Sequence, residues 1–177
     1  MRYLTLLTTG GTIEKTYDEL TGKLENRRSI VGRMLRRIRL EDTAVSVVEL
    51  LRKDSLDMTD ADRAAIADAV RHHLGPALSP PADALVVLHG TDTLCTTGDH
   101  LARVLGTPRV PVVLVGAMRP YEMQRSDALQ NLTEAIFATS LLTPGVYVVA
   151  HGRALRFPGV HKDRARGTFV ADRRGSA

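Results

Sequence analysis

The hydrophobic residues of this 177-residue chain are concentrated in short continuous runs. Five of these runs are rich in leucine and valine, and they lie at residues 3–8, 44–51, 85–88, 110–115 and 146–150. A run without polar alternation is typical of a strand that is buried on both faces of a sheet. The pattern therefore predicts five strands, of which those at 85–88 and 110–115 are expected to be buried on both faces, while the run at 44–51 alternates less clearly.

Between the strands, apolar residues recur at the spacing of an α-helix. Helices are predicted from Ser29 onward and over residues 61–74, 96–105 and 127–141. Thr59, followed three residues later by Asp62, is a capping-box start for the second helix. Because strands and helices alternate, we expect right-handed βαβ crossovers. The predicted fold class is α/β, with a doubly wound, mostly parallel, Rossmann-like or flavodoxin-like sheet and helices on both faces.

Two segments show neither pattern. Residues 14–28 are polar and charged, and they predict a long loop of the kind that often covers a functional site. After His151 the chain becomes basic and irregular. No internal repeat or change of composition marks a boundary, so we expect one domain over residues 1–177 and no second domain.

The overall composition limits the classes of function. No apolar run approaches the ~18 residues of a membrane span, so we expect no membrane partner. The net charge is +4, with 20 arginines and four lysines. No nucleic-acid recognition motif accompanies the arginines, so we expect a solvated basic surface and no nucleic-acid partner. The single cysteine, Cys95, excludes an intramolecular disulfide and suits a cytoplasmic location.

Four short polar motifs are placed where buried strands are expected to end. They are TTGGTI at residues 8–13, DSLDMT at 54–59, HGTDT at 89–93 and VHKD at 160–163. In an open parallel sheet, the carboxyl ends of the strands converge on one crevice, where ligands bind. Hydroxyl, carboxylate and amine groups brought to one crevice suggest threonine-nucleophile chemistry on a small polar substrate.

The TTGGTI motif contains paired glycines but matches neither a dinucleotide fingerprint nor a phosphate-binding loop. Gly10 and Gly11 let the backbone turn tightly and expose its N–H groups. Thr12 would then project into the crevice beside possible oxyanion donors. The motif by itself leaves open a second interpretation, a tight turn with a solvated threonine.

In the HGTDT motif, Thr91 and Asp92 directly follow a buried strand, where a charge needs a partner or access to solvent. Asp92 is a candidate to hold a substrate ammonium group, with Thr91 beside a base. The alternative is helix capping, for which Asp92 and Thr93 are both suited. We expect His89 to be a core residue with satisfied hydrogen bonds and Cys95 to be packed and unreactive.

Lys162 stands out in a chain that uses arginine five times as often as lysine. Arginine cannot deprotonate in a protein, whereas a buried lysine with a lowered pKa can act as a base. Retention by chance is the competing interpretation. Ser55, after the second strand, is suited either to bind a carboxylate or to cap a turn.

Taken together, these motifs closely resemble the N-terminal domain of the bacterial-type L-asparaginases. The resemblance includes TGGTI, DSLDMT, HGTDT, VPVVLVGAMRP, SDALQNLTEAI and VHKD, in this order, and it extends from residue 4 to about residue 165. HGTDT followed some twenty residues later by GAMRP is highly specific.

The resemblance implies a role for each matched residue. Thr12 would be the primary nucleophile, and Tyr17, in the loop after it, would be the mobile tyrosine of the family. Thr91, Lys162 and Asp92 would form the second catalytic group. Substrate binding is assigned to Gly11, Asp54, Ser55, Thr91 and Asp92.

The implied reaction is hydrolysis of L-asparagine to L-aspartate and ammonia through a threonine-bound acyl intermediate, without a metal or other cofactor. The resemblance also implies a homodimer or homotetramer. Two alternatives remain. The chain could be an amidase for another asparaginyl or glutaminyl compound, such as glutamine or an amidated tRNA, or a non-catalytic sensor of amino acids.

The chain also departs from the family pattern. Family members usually continue into a second domain that supplies an acid to the neighbouring subunit's site, so the resemblance is either to the short, single-domain form or to a truncated protein. Glu14 follows TGGTI where a small residue is common, and it is a candidate to replace that acid or to narrow the site. Tyr17 lies closer to Thr12 than the family's loop tyrosine usually does.

Overall fold

The computed structural model describes residues 1–75 and 80–172. The strands are β1 (Arg2–Gly10), β2 (Thr16–Asp18), β3 (Lys23–Glu25), β4 (Thr43–Lys53), β5 (Ala84–Leu88), β6 (Pro111–Val115), β7 (Gly145–Ala150), β8 (Arg153–Arg156), β9 (Val160–Asp163) and β10 (Thr168–Ala171). The helices are α1 (Val31–Leu35), α2 (Asp60–Leu74), α3 (Leu94–Leu105) and α4 (Ala128–Ala138).

Six strands form the central sheet in the order β4-β1-β5-β6-β7-β8. The first five are parallel, and β8 is antiparallel to β7 at the edge. Numbered by their place in the chain, the parallel strands have the flavodoxin-like order 2-1-3-4-5. The predicted α/β class is thus confirmed. The strand order reverses between β1 and β5, which is where ligands bind in such sheets.

The core consists of two apolar layers, one on each face of the sheet. Leu6 of β1 packs in one layer with Met34 of α1 and Leu132 of α4. Leu7, the next residue, belongs to the opposite layer with Ile66 of α2. Because successive side chains of a strand point to opposite faces, a strand covered by helices on both sides must be apolar at every position. This explains the continuous runs.

The helix starts follow local hydrogen bonding. Thr59 and Asp62 form the predicted capping box at the start of α2, each side chain accepting from the other residue's backbone N–H.

The last helix is shorter than predicted. α4 ends at Ala138, three residues before the predicted end at residue 141. Within residues 1–75 and 80–172, no helix is both long and apolar enough to cross a membrane.

Two expectations about irregular segments were wrong. Residues 14–28 contain the β2–β3 hairpin, and the segment after His151 contains β8 and the antiparallel β9–β10 pair, called the ribbon below. These strands have only three or four residues each and carry many polar side chains. Such short strands bury little surface and show no periodicity, so only their tertiary contacts define them.

Candidate active site

Three strand-end loops come together through two glycines. Gly11 has a left-handed φ of 81°, and a Cβ there would overlap the backbone of Gly90. A Cβ on Gly90 would in turn lie 2.6 Å from Ser55 Oγ. The backbones after β1 and β5 therefore approach as closely as glycine allows, and both lie against the loop after β4. This contact brings the Thr12, Ser55 and Thr91 segments to one place.

Thr12 begins a short 3-10 turn, directly after Gly11. The residue is half-buried. Among the residues that the structure describes, none forms a hydrogen bond with the Thr12 hydroxyl, whereas its carbonyl accepts from Lys15 N at 3.2 Å. The hydroxyl is thus available to a ligand beside the backbone turn.

Lys162 reaches the loop after β5 from β9. Its Nζ donates to Thr91 Oγ1 at 2.8 Å and to Asp92 Oδ1 at 3.0 Å. Thr91 is 3% exposed, and 15% of the Lys162 side chain is exposed. Arg164 forms a second ion pair with Asp92 Oδ1 at 3.0 Å. The structure thus joins the three residues of the predicted second catalytic group, and Asp92 is already paired with two cations.

Ser55 is 1% exposed and sits in a 3-10 turn that follows β4. Thr93 Oγ1 donates to the Ser55 carbonyl at 2.8 Å, and Ser55 Oγ accepts from Thr93 N at 3.4 Å. The Thr93 side chain therefore joins two loops and makes no capping hydrogen bond to α3.

Asp54 caps the turn that contains Ser55. It accepts from Leu56 N at 3.0 Å and pairs with Lys15 Nζ at 2.5 Å. Burial would raise the pKa of Asp54, but the Lys15 ammonium and the Leu56 N–H outweigh it, and the pKa is lowered. The contacts of Asp54 link the β4 end to the segment after Thr12. They give it a structural role beside its predicted role in substrate binding.

Tyr17 lies on β2 with 58% of the residue exposed. Its hydroxyl is close to Gly22 at the turn of the hairpin. Its backbone N donates to Glu122 Oε2 at 3.1 Å. In the described parts of the chain, Tyr17 and Thr12 share no hydrogen bond, and the role of Tyr17 beside Thr12 stays a prediction. Glu122 was not predicted, because an acidic residue in a loop carries no sequence signal of its own.

Glu14 is 3% exposed and lies beneath the turn that carries Thr12. Its carboxylate accepts from Gly10 N at 3.3 Å and from the Ser29 hydroxyl. Burial raises the pKa of Glu14 to about 7. Its hydrogen bonds tie the turn to the start of α1. They do not involve Tyr17, so they offer no support for Glu14 as the substitute acid.

His89 is fully buried, as expected for a core histidine. Its Nδ1 lies 2.8 Å from the Gly90 carbonyl and its Nε2 lies 2.9 Å from Thr97 Oγ1. Burial lowers the pKa of His89 to about 4, so the ring is neutral at pH 7. Burial also raises the pKa of Cys95 to about 12, which leaves its thiol unreactive.

The loop after β6 lies beside the loop after β5, since a Cβ on Gly116 would lie 2.9 Å from Thr91 Cγ2. The backbone N–H groups of Met118 and Arg119 donate to Asp127 at 3.0 Å. Burial would raise the pKa of Asp127, but these hydrogen bonds and one from His151 hold it below its usual value. Asp127 and His151 were not singled out from the sequence. Their partners are distant in the chain, and only the fold brings them together.

Known protein families and relatives match nearly the whole chain. The family model described as asparaginase, N-terminal, matches residues 3–171. The chain is 35% identical over 175 residues to a glutamyl-tRNA(Gln) amidotransferase subunit of Pyrobaculum aerophilum, covering 93% of this chain and 40% of the relative. It is 34% identical over 146 residues to L-asparaginase of Thermococcus kodakarensis, and the match covers 82% of this chain and 43% of that relative. The chain thus spans less than half the length of these relatives.

Solved structures show the same fold. The thermostable L-asparaginase from Thermococcus kodakarensis superposes with a TM-score of 0.84 at 28% identity, covering 96% of this chain and 51% of that one. L-asparaginase I from Vibrio cholerae gives a TM-score of 0.76 at 26% identity, and the superposition covers 96% of this chain and 51% of that one. The family match, which extends over nearly all of the chain, shows that this protein belongs to the asparaginase family, whose N-terminal domain it matches.

Proposed function

We propose that the chain carries the catalytic centre of an L-asparaginase, which hydrolyses L-asparagine to L-aspartate and ammonia. The observation that carries the proposal is the contact of Lys162 Nζ with Thr91 Oγ1 at 2.8 Å. Lys162 reaches Thr91 from β9, and Thr91 lies in the loop that packs, through Gly90 and Gly11, against the turn holding Thr12. A nucleophile, a hydroxyl and a base on adjoining loops are the groups that amide hydrolysis by covalent catalysis requires.

In the first step, Thr12 Oγ1 attacks the side-chain amide carbon of the substrate. Its proton is taken by Tyr17 or by the Lys162–Thr91 pair, and it passes to the leaving ammonia. Support for the Lys162–Thr91 pair is its short hydrogen bond, whereas Tyr17 requires the hairpin to move. Backbone N–H groups near Thr12 and Thr91 stabilise the oxyanion, which is usually the largest single contribution to catalysis.

In the second step, water attacks the acyl group on Thr12. Thr91 holds this water, the neutral amine form of Lys162 takes its proton, and the proton returns to Thr12 as aspartate leaves. Asp92 binds the substrate ammonium group and Ser55 its carboxylate, with Gly11 and Asp54 beside them. Because Asp92 Oδ1 already faces Lys162 and Arg164, we assign the substrate ammonium to Oδ2.

A second candidate function is amide hydrolysis as part of a tRNA-dependent amidotransferase. The relatives named as glutamyl-tRNA(Gln) amidotransferase subunits favour it. In that case glutamine would replace asparagine as the ammonia source, and a partner chain would be required. The extra methylene of glutamine is worth only about 1–3 kcal/mol in a pocket, so the same site suits both substrates.

The test is ammonia release from asparagine, glutamine and a neutral amide, measured side by side. We expect asparagine to be the preferred substrate and Thr12→Ala to lose turnover by about 10⁴-fold or more while it still binds asparagine in calorimetry. Preference for glutamine, with salt-sensitive tRNA binding, would favour the second candidate. Asparagine binding without turnover by the parent would indicate an amino-acid sensor. Sedimentation analysis of the parent tests the proposed homodimer or homotetramer.

A further inference from the structure

The ribbon that carries Lys162 is not part of the central sheet. Within the described residues, β9 and β10 pair only with each other, with Lys162 opposite Phe169 and Asp163 opposite Thr168. A two-stranded sheet by itself is at best marginally stable in water. The place of Lys162 beside Thr91 therefore depends on side-chain contacts that hold the ribbon against the rest of the fold.

Apolar packing supplies part of this attachment. Val160 and Phe169 are buried in the same layer as Leu101 of α3 and Val148 of β7. Apolar contacts are not directional, so they keep the ribbon on the sheet without defining its position along it. A base must be held within about 0.5 Å of its working position, which requires directional contacts.

Two directional contacts come from the turn between β7 and β8 and the start of β8, and both reach β10 on the strand opposite Lys162. His151 Nδ1 lies 3.0 Å from Thr168 Oγ1. Arg153 Nη1 donates to the Phe169 carbonyl at 3.3 Å. Of the two, the histidine contact is shorter and comes from a half-buried ring, whereas Arg153 is exposed.

The other ring nitrogen of His151 is bound to Asp127, at the end of the loop after β6. Nε2 lies 2.9 Å from Asp127 Oδ2, and the same carboxylate accepts from Met118 N and Arg119 N. An ionised carboxylate only accepts, so Nε2 donates to Asp127, and Nδ1 and the Thr168 hydroxyl share the second hydrogen bond. His151 thus bridges the loop after β6 to the ribbon.

The backbone of His151 is held as firmly as its ring. Its φ is 52°, an unusual value for a residue other than glycine. Its N–H donates to Asn131 Oδ1 at 3.1 Å, and Asn131 is itself buried and bonded to the Gly116 carbonyl at 3.0 Å. Backbone conformations of this kind persist where the surroundings impose them, and they are frequent at functional sites.

We propose that His151 is a positioning residue for Lys162, acting through the Asp127–His151–Thr168 bridge that holds the ribbon at its place on the crevice. The inference rests on the proposed function for the role of Lys162. The bridge itself is independent of that function. His151 does not contact the reacting groups. Its loss should therefore change the chemical step through the position of the lysine amine and leave substrate binding largely intact.

Thr168 offers the sharpest test. Thr168→Val keeps the shape and the strand preference of the side chain but removes the hydroxyl, whereas Thr168→Ser retains it. We expect the valine variant to lower kcat roughly tenfold with KM within about twofold of the parent, since a misplacement of 1 Å can cost about 100-fold in rate. The serine variant should restore most of the activity. Equal kcat values for parent and valine variant would overturn the proposal.

A second measurement does not depend on turnover. Amide hydrogen exchange over residues 160–171 should be faster in Thr168→Val and in His151→Asn, since asparagine accepts the left-handed backbone but cannot span the bridge. Arg166→Gln is the control, because Arg166 is an exposed residue of the turn between β9 and β10 and its side chain forms no hydrogen bond within the described residues, so its exchange should equal that of the parent. Unchanged exchange in both bridge variants would also overturn the proposal. If the parent hydrolyses no amide, the proposed function fails by itself, and these exchange rates still decide whether the bridge holds the ribbon.

Discussion

Glu122, in the loop after β6, accepts a hydrogen bond from the backbone N–H of Tyr17 at 3.1 Å. The same carboxylate pairs with Arg33 of α1 at 2.9 Å. Since Tyr17 lies on the β2–β3 hairpin, Glu122 links this hairpin to the loop after β6. The tyrosine side chain is largely exposed, so a change in its position would not disturb the core.

Glu122→Ala should loosen the hairpin and weaken substrate binding. A partly exposed hydrogen bond to a carboxylate is worth about 1 kcal/mol, so we expect KM to rise roughly fivefold with a smaller change in kcat. Glu122→Gln keeps an acceptor for Tyr17 N, so its KM should lie between the KM of the parent and that of Glu122→Ala. Steady-state kinetics of both variants, with the exposed hairpin residue Glu19 changed to Ala as control, would check this. A parent-like KM in Glu122→Ala would show that the hydrogen bond is incidental.

Lys162→Arg should be almost as damaging as Lys162→Met. Arginine keeps the positive charge, but it cannot act as a base, and its larger head does not fit the largely buried place beside Thr91 and Asp92. We expect kcat to fall by at least about 100-fold in both variants, the lower end of what a general base contributes. Ammonia release from asparagine at several pH values measures this. Substantial activity in Lys162→Arg would mean that the charge is sufficient.

Asp92→Asn should reduce kcat/KM more than Tyr17→Phe does. The carboxylate balances Lys162 and Arg164 and is the proposed site for the substrate ammonium, so its neutralisation leaves cations without their partner. Breaking such a contact in a partly buried site costs about 2 kcal/mol or more, equivalent to roughly a 30-fold loss. Kinetic titration with asparagine compares the two variants directly. A larger loss of kcat/KM in Tyr17→Phe than in Asp92→Asn would show that the hairpin makes the main contribution to substrate recognition.

Glu14 should make stability depend on pH. Burial raises its pKa from 4.5 to about 7, so the folded protein favours the protonated carboxyl group. The contribution of this group to the free energy of unfolding is fully present below pH 4.5 and is lost as the pH rises through 7. Glu14→Gln cannot ionise and should avoid this loss. Between pH 4.5 and pH 8.5, the free energy of unfolding of the variant should rise relative to that of the parent by up to about 3 kcal/mol. This corresponds to about 1.4 kcal/mol for each pKa unit of the shift.

Urea denaturation of the parent and of Glu14→Gln across this pH range measures the difference, in which the titration of all other groups cancels. A constant difference between the two proteins would show that the carboxyl group has an ordinary pKa in the folded state. A difference that changes in the opposite direction would show that the folded protein stabilises the ionised form.

The hydrophobic pattern by itself identified the α/β class and the five parallel strands of the central sheet. A strand covered by helices on both faces must be apolar throughout, so the runs at 85–88 and 110–115 identified β5 and β6 without further information. The turn after β1 was equally visible, because a close backbone approach at Gly11 admits only glycine. The position of Lys162 in a conspicuous motif also identified it as a candidate, and the structure places its amine against Thr91.

The contacts that hold these groups in position were decided only by the tertiary structure. Glu122 meets Tyr17 across 105 residues of chain, and His151 meets Asp127 across 24 residues and Thr168 across 17. A single polar side chain in a loop has no periodicity, and nothing nearby in the sequence names its partner. Such contacts form because strand order and chain reversal bring distant loops to the same edge of the sheet, a consequence of the whole fold and not of any local segment.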